Sequence, residues 1–384
     1  MSLGSNSRRR GGRWLRRIFA YGLLVVAAAG GWLAYELLVP YQGFSKEGVF
    51  VDVPRGAPLR QIARLLAENG VVRSAAAFEA YARWQARTRP AGLQAGEYFF
   101  SRPMTSLEVH RMLAEGRVFL YTVQVPEGYS MFDIAVLLEE KKLTHRENFL
   151  DAARDPGAIR DLAPEATSLE GFLFPATYEF PRHVTAREIA GAMVRRFREV
   201  WASFPAEGRN PQNVSILRVV TLASLVERET GQRDERPLVS SVFYNRLRRH
   251  MALQCDPTVL YALRLAGQSR TALTLKDLRF KSPYNTYRNP GLPPGPIANP
   301  GEQALRAALF PPKTDYLYFV SDARGGHFFS KTLAEHNANV ARFRQMSAQV
   351  GQVPDESARE KKSDPPAKSP ASRATTPRKG RGRR

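Results

Sequence analysis

The hydrophobic and polar positions divide this chain into an apolar run, a long patterned body and a polar tail. The run is IFAYGLLVVAAAGGWLAY, Ile18 to Tyr35, eighteen residues without a charge, continued after Glu36 by Leu37, Leu38 and Val39 until Pro40 stops it. At about 1.5 Å per residue it spans most of a hydrocarbon layer about 30 Å thick, with Trp32 and Tyr35 at interfacial positions. One transmembrane helix is predicted over residues 18–39. Six arginines and no acid in residues 1–17 put the N-terminus in the cytoplasm and everything after Pro40 outside the inner (cytoplasmic) membrane, in the periplasm or its equivalent. A cleaved signal peptide competes with this reading, but the run is long for an h-region and no small-x-small site follows cleanly.

From about residue 48 to 345, short strand signals alternate with amphipathic helices, which predicts a mixed α+β fold. A repeat recurs at an offset of 72 residues: VPRGAPLRQIARLLAENGV (Val53 to Val71) aligns with VPEGYSMFDIAVLLEEKKL (Val125 to Leu143). Each copy reads as strand, glycine turn and helix, with apolar stripes Leu59, Ile62, Leu65, Leu66 and Ile134, Leu137, Leu138. The pattern resembles LysM-type glycan-binding modules. A purely structural strand-turn-helix unit needs similar residues, so both readings stand at this point.

Composition narrows the classes. With 384 residues, 43% of them hydrophobic and 24% charged, the chain has room for two or three domains and is neither wholly disordered nor a multi-span membrane protein. A single cysteine, Cys255, excludes an intramolecular disulfide and a thiolate zinc cluster. The net charge of +21 would point to nucleic acid if it lay on the body. Residues 1–17 and 351–384 each carry +6, which leaves +9 over the 333 residues between them and argues against nucleic acid. The tail, rich in Pro, Ser, Ala, Lys and Arg, is predicted to be disordered: a solubilising extension, or a weak attraction to anionic lipid or wall polymers.

Helix starts are marked by capping boxes TSLE at Thr105 and TARE at Thr185; the second opens a helix carrying Ile189, Met193, Phe197, Val200 and Trp201. SILRVVTLASLVERETG, Ser215 to Gly231, reads as a mostly buried helix with a narrow polar strip at Arg218, Thr221, Ser224 and Arg228. It ends in Glu227 and Glu229. Burying a carboxylate is expensive, so such a glutamate is paired, directed to solvent or held for chemistry. The last turn favours its protonated form, as a general acid requires. The two lie about 200° apart around the helix, and helical projection does not choose between them.

Further on lie Asn245 in SVFYNRL, Gln254 and Asp256 in LQCDPTVLYAL, and SPYNTYRNPGLPPGPIANPG, Ser282 to Gly301. Asp256-Pro257 reads as a helix N-cap followed by an N1 proline. Tyr284 to Tyr287, beside a rigid Pro/Gly loop, suits a sugar-lined cleft of stacking rings and amide donors. There is no G-x-S-x-G nucleophile elbow, and Cys255 has no recognisable base. The six histidines are scattered, and His327 and His336 lack helical ligand spacing, so packing roles are expected and no metal.

Over roughly residues 48–345 the chain resembles the YceG-like, or MltG-type, family of membrane-anchored endolytic murein transglycosylases. The matching stretches are SLEGFLFPATYEF (Ser168 to Phe180), LASLVERET (Leu222 to Thr230), the three motifs just quoted, YLYFV (Tyr316 to Val320) and GGHFFSKTLAEHN (Gly325 to Asn337). The resemblance implies Glu229 as the catalytic residue, followed by Thr230, and Glu170, Asn245, Gln254, Tyr284 and Asn285 as cleft residues. Ala176 stands where the family often has Asp, and Cys255 where Thr or Ser is usual. Division into a LysM-like module (48–120) and a catalytic domain (121–345) that opens on the second repeat follows from it.

The implied reaction needs one carboxyl group. Glu229 protonates the oxygen between N-acetylmuramic acid and N-acetylglucosamine, then takes the proton of the muramic C6 hydroxyl as it closes onto C1, leaving a 1,6-anhydro end. Intramolecular attack supplies a large effective concentration and needs no cofactor. The implied partners are nascent peptidoglycan strands and the synthases that extend them. A hydrolytic muramidase and a non-catalytic wall-binding scaffold are the alternatives.

Overall fold

The computed structural model describes residues 8–88, 92–205 and 215–350. The tail expected over 351–384 and the first seven residues of the basic N-terminal segment lie outside the described residues. Helix α1 (Arg8–Leu38) contains 23 residues, Arg16–Leu38, long and apolar enough to cross a membrane, and its most apolar window is not buried against the rest of the chain. Phe19, Leu24 and Val26 are among the apolar side chains left exposed along it. Its C-terminal end is docked instead. Arg73 donates to the Tyr35 hydroxyl at 2.7 Å and lies 4.4 Å from the Tyr35 ring centre, and the Ser106 hydroxyl donates to the Glu36 carbonyl at 3.1 Å.

Two βααβ units follow. The first runs β1 (Val49–Val53), α2 (Leu59–Glu68), α3 (Ala75–Thr88) and β2 (Gly96–Phe100), and α4 (Ser106–Ala114) closes it. The antiparallel pair puts Val51 opposite Tyr98. Period-2 alternation buries Val51, Val53, Tyr98 and Phe100 against Ile62 and Leu66 of α2 and Phe78 of α3. The second runs β3 (Leu120–Gln124), α5 (Met131–Glu140), α6 (Arg146–Arg154) and β4 (Thr177–Pro181), with Val123 opposite Tyr178. Gly56 and Gly128, at equivalent places in the two turns, have φ of +75° and +78°, the left-handed region open to glycine. Capping boxes close at Thr105, Thr185 and also Ser130, where Asp133 takes the place of the usual glutamate.

The larger core is built on α7 (Ala186–Ser203), α8 (Ile216–Glu229), α9 (Arg236–Arg248), α10 (Asp256–Leu265) and α11 (Glu302–Leu309). A hairpin, β5 (Tyr318–Ser321) and β6 (His327–Ser330), and the terminal α12 (Leu333–Val350) complete it. Ile189, Met193, Phe197, Val200 and Trp201 of α7 are all buried, each contributing about 1.5–3 kcal/mol on transfer from water for residues of this size. The polar strip expected on α8 is corrected in part: Thr221 and Ser224 are buried. Their hydroxyls donate to Leu217 and Thr221 carbonyls at 2.7 Å, which satisfies them inside the core. The two cores join where the Phe119 amide donates to the Glu97 carbonyl at 2.7 Å and the Tyr121 hydroxyl to the Glu97 carboxylate at 2.5 Å.

Candidate active site at the tip of α8

The structure separates the two glutamates that helical projection leaves equivalent. Glu227 accepts from Arg236 at 2.6 Å and from the Gly301 amide at 2.9 Å, and the two side chains of this ion pair are 4% and 5% exposed. Glu127 shares the same guanidinium at 3.2 Å. Burial pushes the Glu227 carboxyl up, against the pull of the Gly301 amide and Arg236. This carboxylate is occupied in holding α8, α9 and the loop before α11 together.

Glu229 is the last residue of α8 and half-buried. Among the described residues no cation lies within ion-pair distance of it. Burial raises its pKa; a hydrogen bond from the Cys255 thiol lowers it, Asp256 raises it again, and His327 and Arg246 pull it down. The net shift is upward, so a larger fraction of Glu229 holds its proton than for a free glutamate. That suits a general acid working near neutral pH.

Its neighbours come from separate elements. Cys255 is the N-cap residue of α10 and Asp256 its first residue, so the expected capping role of Asp256 is not what the structure shows. The Asp256 carboxylate instead accepts from the Tyr287 hydroxyl at 2.6 Å. Arg246 on α9 is buried and donates to the Leu317 and Leu253 carbonyls at 2.7 and 2.9 Å, with its guanidinium 5.2 Å from the Tyr318 ring centre. His327 starts β6. Its Nδ1 is 2.7 Å from Glu235, which also accepts the His327 amide at 2.8 Å and the Thr230 hydroxyl at 3.3 Å. Thr230 thereby ties the end of α8 to the hairpin. Arg246, Glu235 and His327 are absent from the sequence-based set, whereas Tyr287 closes the Tyr284 to Tyr287 stretch read as cleft-lining. Arg246 and His327 lie inside quoted motifs, YNRL and GGHFF, but nothing in their spacing sets them apart from packing residues.

The expected cleft residues divide. Gln254 is exposed, with φ of +53°, beside Cys255, and its side-chain carbonyl lies 3.4 Å from Arg246. Tyr284 is half-buried, its ring centre 5.2 Å from that of Tyr261, and burial pushes its hydroxyl up to about 12. The other three are buried. Glu170 is 1% exposed and accepts from the Met131 amide, the Tyr261 hydroxyl and the Asn299 amide group, at 3.0, 3.0 and 2.9 Å. Burial pushes its carboxyl up to about 8, against the pull of the Met131 amide and the Tyr261 hydroxyl. Asn245, 5% exposed, donates to the Thr314 and Tyr316 carbonyls. Asn285, 0% exposed, donates to Leu278 and Phe280 and accepts from the Tyr287 amide. The polar atoms of all three are committed to hydrogen bonds inside the protein.

Asn299, missed in the IANPG stretch, is the most connected wall residue. Its side chain accepts from the Gly171 and Leu173 amides at 2.8 and 2.9 Å and donates to the Tyr129 carbonyl at 2.9 Å. Gly171, at φ +88°, has no room for a side chain: a Cβ there would lie 2.4 Å from Pro296. Among the described residues no group of three or more His, Cys, Asp or Glu is arranged to hold a metal ion.

Comparison with known proteins agrees in extent with this arrangement. A model of the YceG-like family matches residues 51–342. The chain is 36% identical over 326 residues to an endolytic murein transglycosylase of Bacillus subtilis, covering 80% of this chain and 89% of that protein. It is 30% identical over 351 residues to an endolytic murein transglycosylase of Streptococcus pneumoniae, covering 83% of this chain and 63% of the longer relative. The crystal structure of a yceG-like protein from Listeria monocytogenes superposes with a TM-score of 0.52 at 36% identity, covering 77% of this chain and 99% of that one.

Proposed function

The chain belongs to the YceG-like family, and on that premise we propose that it is an endolytic murein lytic transglycosylase with Glu229 as its general acid and base. One observation carries the assignment of the residue: of the two acids at the tip of α8, Glu227 is locked to Arg236 and Gly301, and Glu229 is not. Protonated Glu229 gives its proton to the oxygen between N-acetylmuramic acid and N-acetylglucosamine. The carboxylate so formed sits near buried Arg246 and near His327, which favour its charge at that moment. It then accepts the C6 hydroxyl proton as that oxygen closes onto C1, and a 1,6-anhydro end is left. The attacking hydroxyl belongs to the same ring, which replaces an activated water.

The βααβ units support a LysM-like, glycan-contacting role for residues 48–120 beside a catalytic part over 121–345. Helix α1 supports a single-pass anchor with the N-terminus in the cytoplasm and the active site outside the inner membrane, acting on new strands beside their synthases. Gln254 and Tyr284 remain the sugar-facing residues of this reading. Mass spectrometry of a peptidoglycan digest tests it: anhydro-ended fragments are expected, reducing ends would make the protein a hydrolytic muramidase, and intact strands a binding scaffold.

The thiol beside Glu229 gives a sharper prediction. Activity needs the acid protonated, so it falls as pH rises through the Glu229 pKa. A hydroxyl donates more strongly than a thiol to a carboxylate, so Cys255→Ser is expected to move the alkaline limb of the kcat/KM profile to lower pH, and Cys255→Ala to higher pH. Identical limbs in all three proteins would show that the thiol does not act on the acid.

A further inference from the structure

Arg246, on α9, is 8% exposed and brings a permanent charge into the surroundings of Glu229. Backbone carbonyls hold two of its three nitrogens. Nε donates to Leu317 at 2.7 Å, and Nη1 to Leu253 at 2.9 Å and to Ala252 at 3.2 Å. The Gln254 side-chain oxygen lies 3.4 Å from Nη1, and the Tyr318 ring centre 5.2 Å from the guanidinium. Nη2 is different: among the described residues it has no protein partner. It is not sealed inside, in contrast to Nε and Nη1 of Arg236, which are buried without partners. No carboxylate of the described residues lies within ion-pair distance of Arg246. Burial holds its pKa below the usual arginine value, against Tyr318, Tyr287, Glu229 and Cys255, so the groups that feel its charge include the acid itself and the thiol bonded to that acid.

We propose that Nη2 of Arg246 donates to the acetamido carbonyl of an N-acetylated sugar held at Glu229, which makes Arg246 a substrate-binding residue and the N-acetyl group a requirement of the site; the proposal rests on the transglycosylase reading. A guanidinium taken out of water needs acceptors for all its N–H groups, and this one leaves the pair on Nη2 open. When a saccharide displaces water from the cleft, the missing acceptor has to come with it. A carbonyl fits better than a carboxylate. Arg246 is already held by neutral carbonyls, and an arriving anion would meet the negative charge of Asp256, and that of Glu229 once it has given up its proton. Murein rings carry an acetamido carbonyl on C2, next to the C1 at which Glu229 works. The tethers on Nε and Nη1 fix the donor before the sugar arrives, so little side-chain freedom is lost on binding.

Calorimetric titration tests this in the full-length Glu229→Gln protein, with two uncharged ligands of equal length: the tetramer of N-acetylglucosamine and the tetramer of glucose, which has hydroxyls in place of the acetamido groups. The N-acetylated tetramer is expected to bind roughly tenfold more tightly, the effect of one charge-assisted hydrogen bond. Arg246→Gln in the same protein should bring the two affinities together by weakening only the N-acetylated ligand, and Arg246→Lys, which keeps the stem and the charge, should retain part of the difference. Equal affinities with Arg246 in place, or a parallel loss for both tetramers in the two variants, would overturn the proposal; the first comparison needs no change at Arg246 and decides even if the variants fail to fold. The preference found in a protein whose Glu229 form releases no anhydro ends would leave Arg246 assigned and remove the transglycosylase reading instead.

Discussion

Glu229→Gln is expected to eliminate anhydro-ended fragments from a peptidoglycan digest while leaving the unfolding transition in place. Gln keeps the shape and hydrogen-bonding capacity of the side chain but has no proton to give and no charge with which to take one back. General acid–base catalysis accounts for about 10² to 10⁴ in rate, and here both halves of the reaction pass through one group, so the loss belongs at the upper end. The neighbours of Glu229 predict no compensating damage. The groups around it, Cys255, Asp256, Arg246 and His327, are held by partners of their own, among them Tyr287, Leu253 and Glu235. A variant that still produced anhydro ends at the wild-type rate would remove Glu229 from the mechanism. If Glu227→Gln abolished the products and Glu229→Gln did not, the roles given to the two acids would have to be exchanged.

The second large effect is on stability. Glu227→Gln strips the charge from a pair whose members are 4% and 5% exposed, leaving Arg236 buried with only the more distant Glu127 to balance it. Breaking a buried ion pair from one side costs about 3–5 kcal/mol, because the surviving charge has lost its partner but not its burial. In a domain of this size each kcal/mol lowers the thermal midpoint by about 2–4 °C, so a fall of roughly 6–20 °C is expected in a melting curve. An unchanged midpoint would mean that Arg236 finds water or a new partner, and that Glu227 is not the fastener the structure makes it. Below its transition the variant should still yield anhydro ends, which is what distinguishes a fastening carboxylate from a reacting one.

How far the sequence could be read depended on how local the determining physics was. The capping boxes at Thr105 and Thr185, the apolar face of α7 and the strand-turn-helix repeat with its paired Gly56 and Gly128 are written within a few residues each, and the structure carries all of them. The box at Ser130 is less legible because Asp133, a shorter acid, completes it. Thr221 and Ser224 read as polar surface because composition does not reveal that a hydroxyl can return its hydrogen bond to its own helix. Site residues were harder for the same reason. Glu170, Asn245 and Asn285 lie in motifs with the look of a cleft, yet a motif cannot tell a side chain that meets substrate from one that holds the backbone meeting it. Glu227 and Glu229 differ only through Arg236 and Gly301, nine and 74 residues away from Glu227, and only the folded chain brings those to one of them.

The links made by Asn299 have a bearing on synthesis. This one amide joins Gly171 and Tyr129 across sequence separations of 128 and 170 residues, so this part of the larger core depends on contacts of very high contact order. Such contacts close late, after the C-terminal third has emerged. A nascent or truncated chain that ends before Asn299 therefore carries the α8 glutamates without the contacts this amide makes.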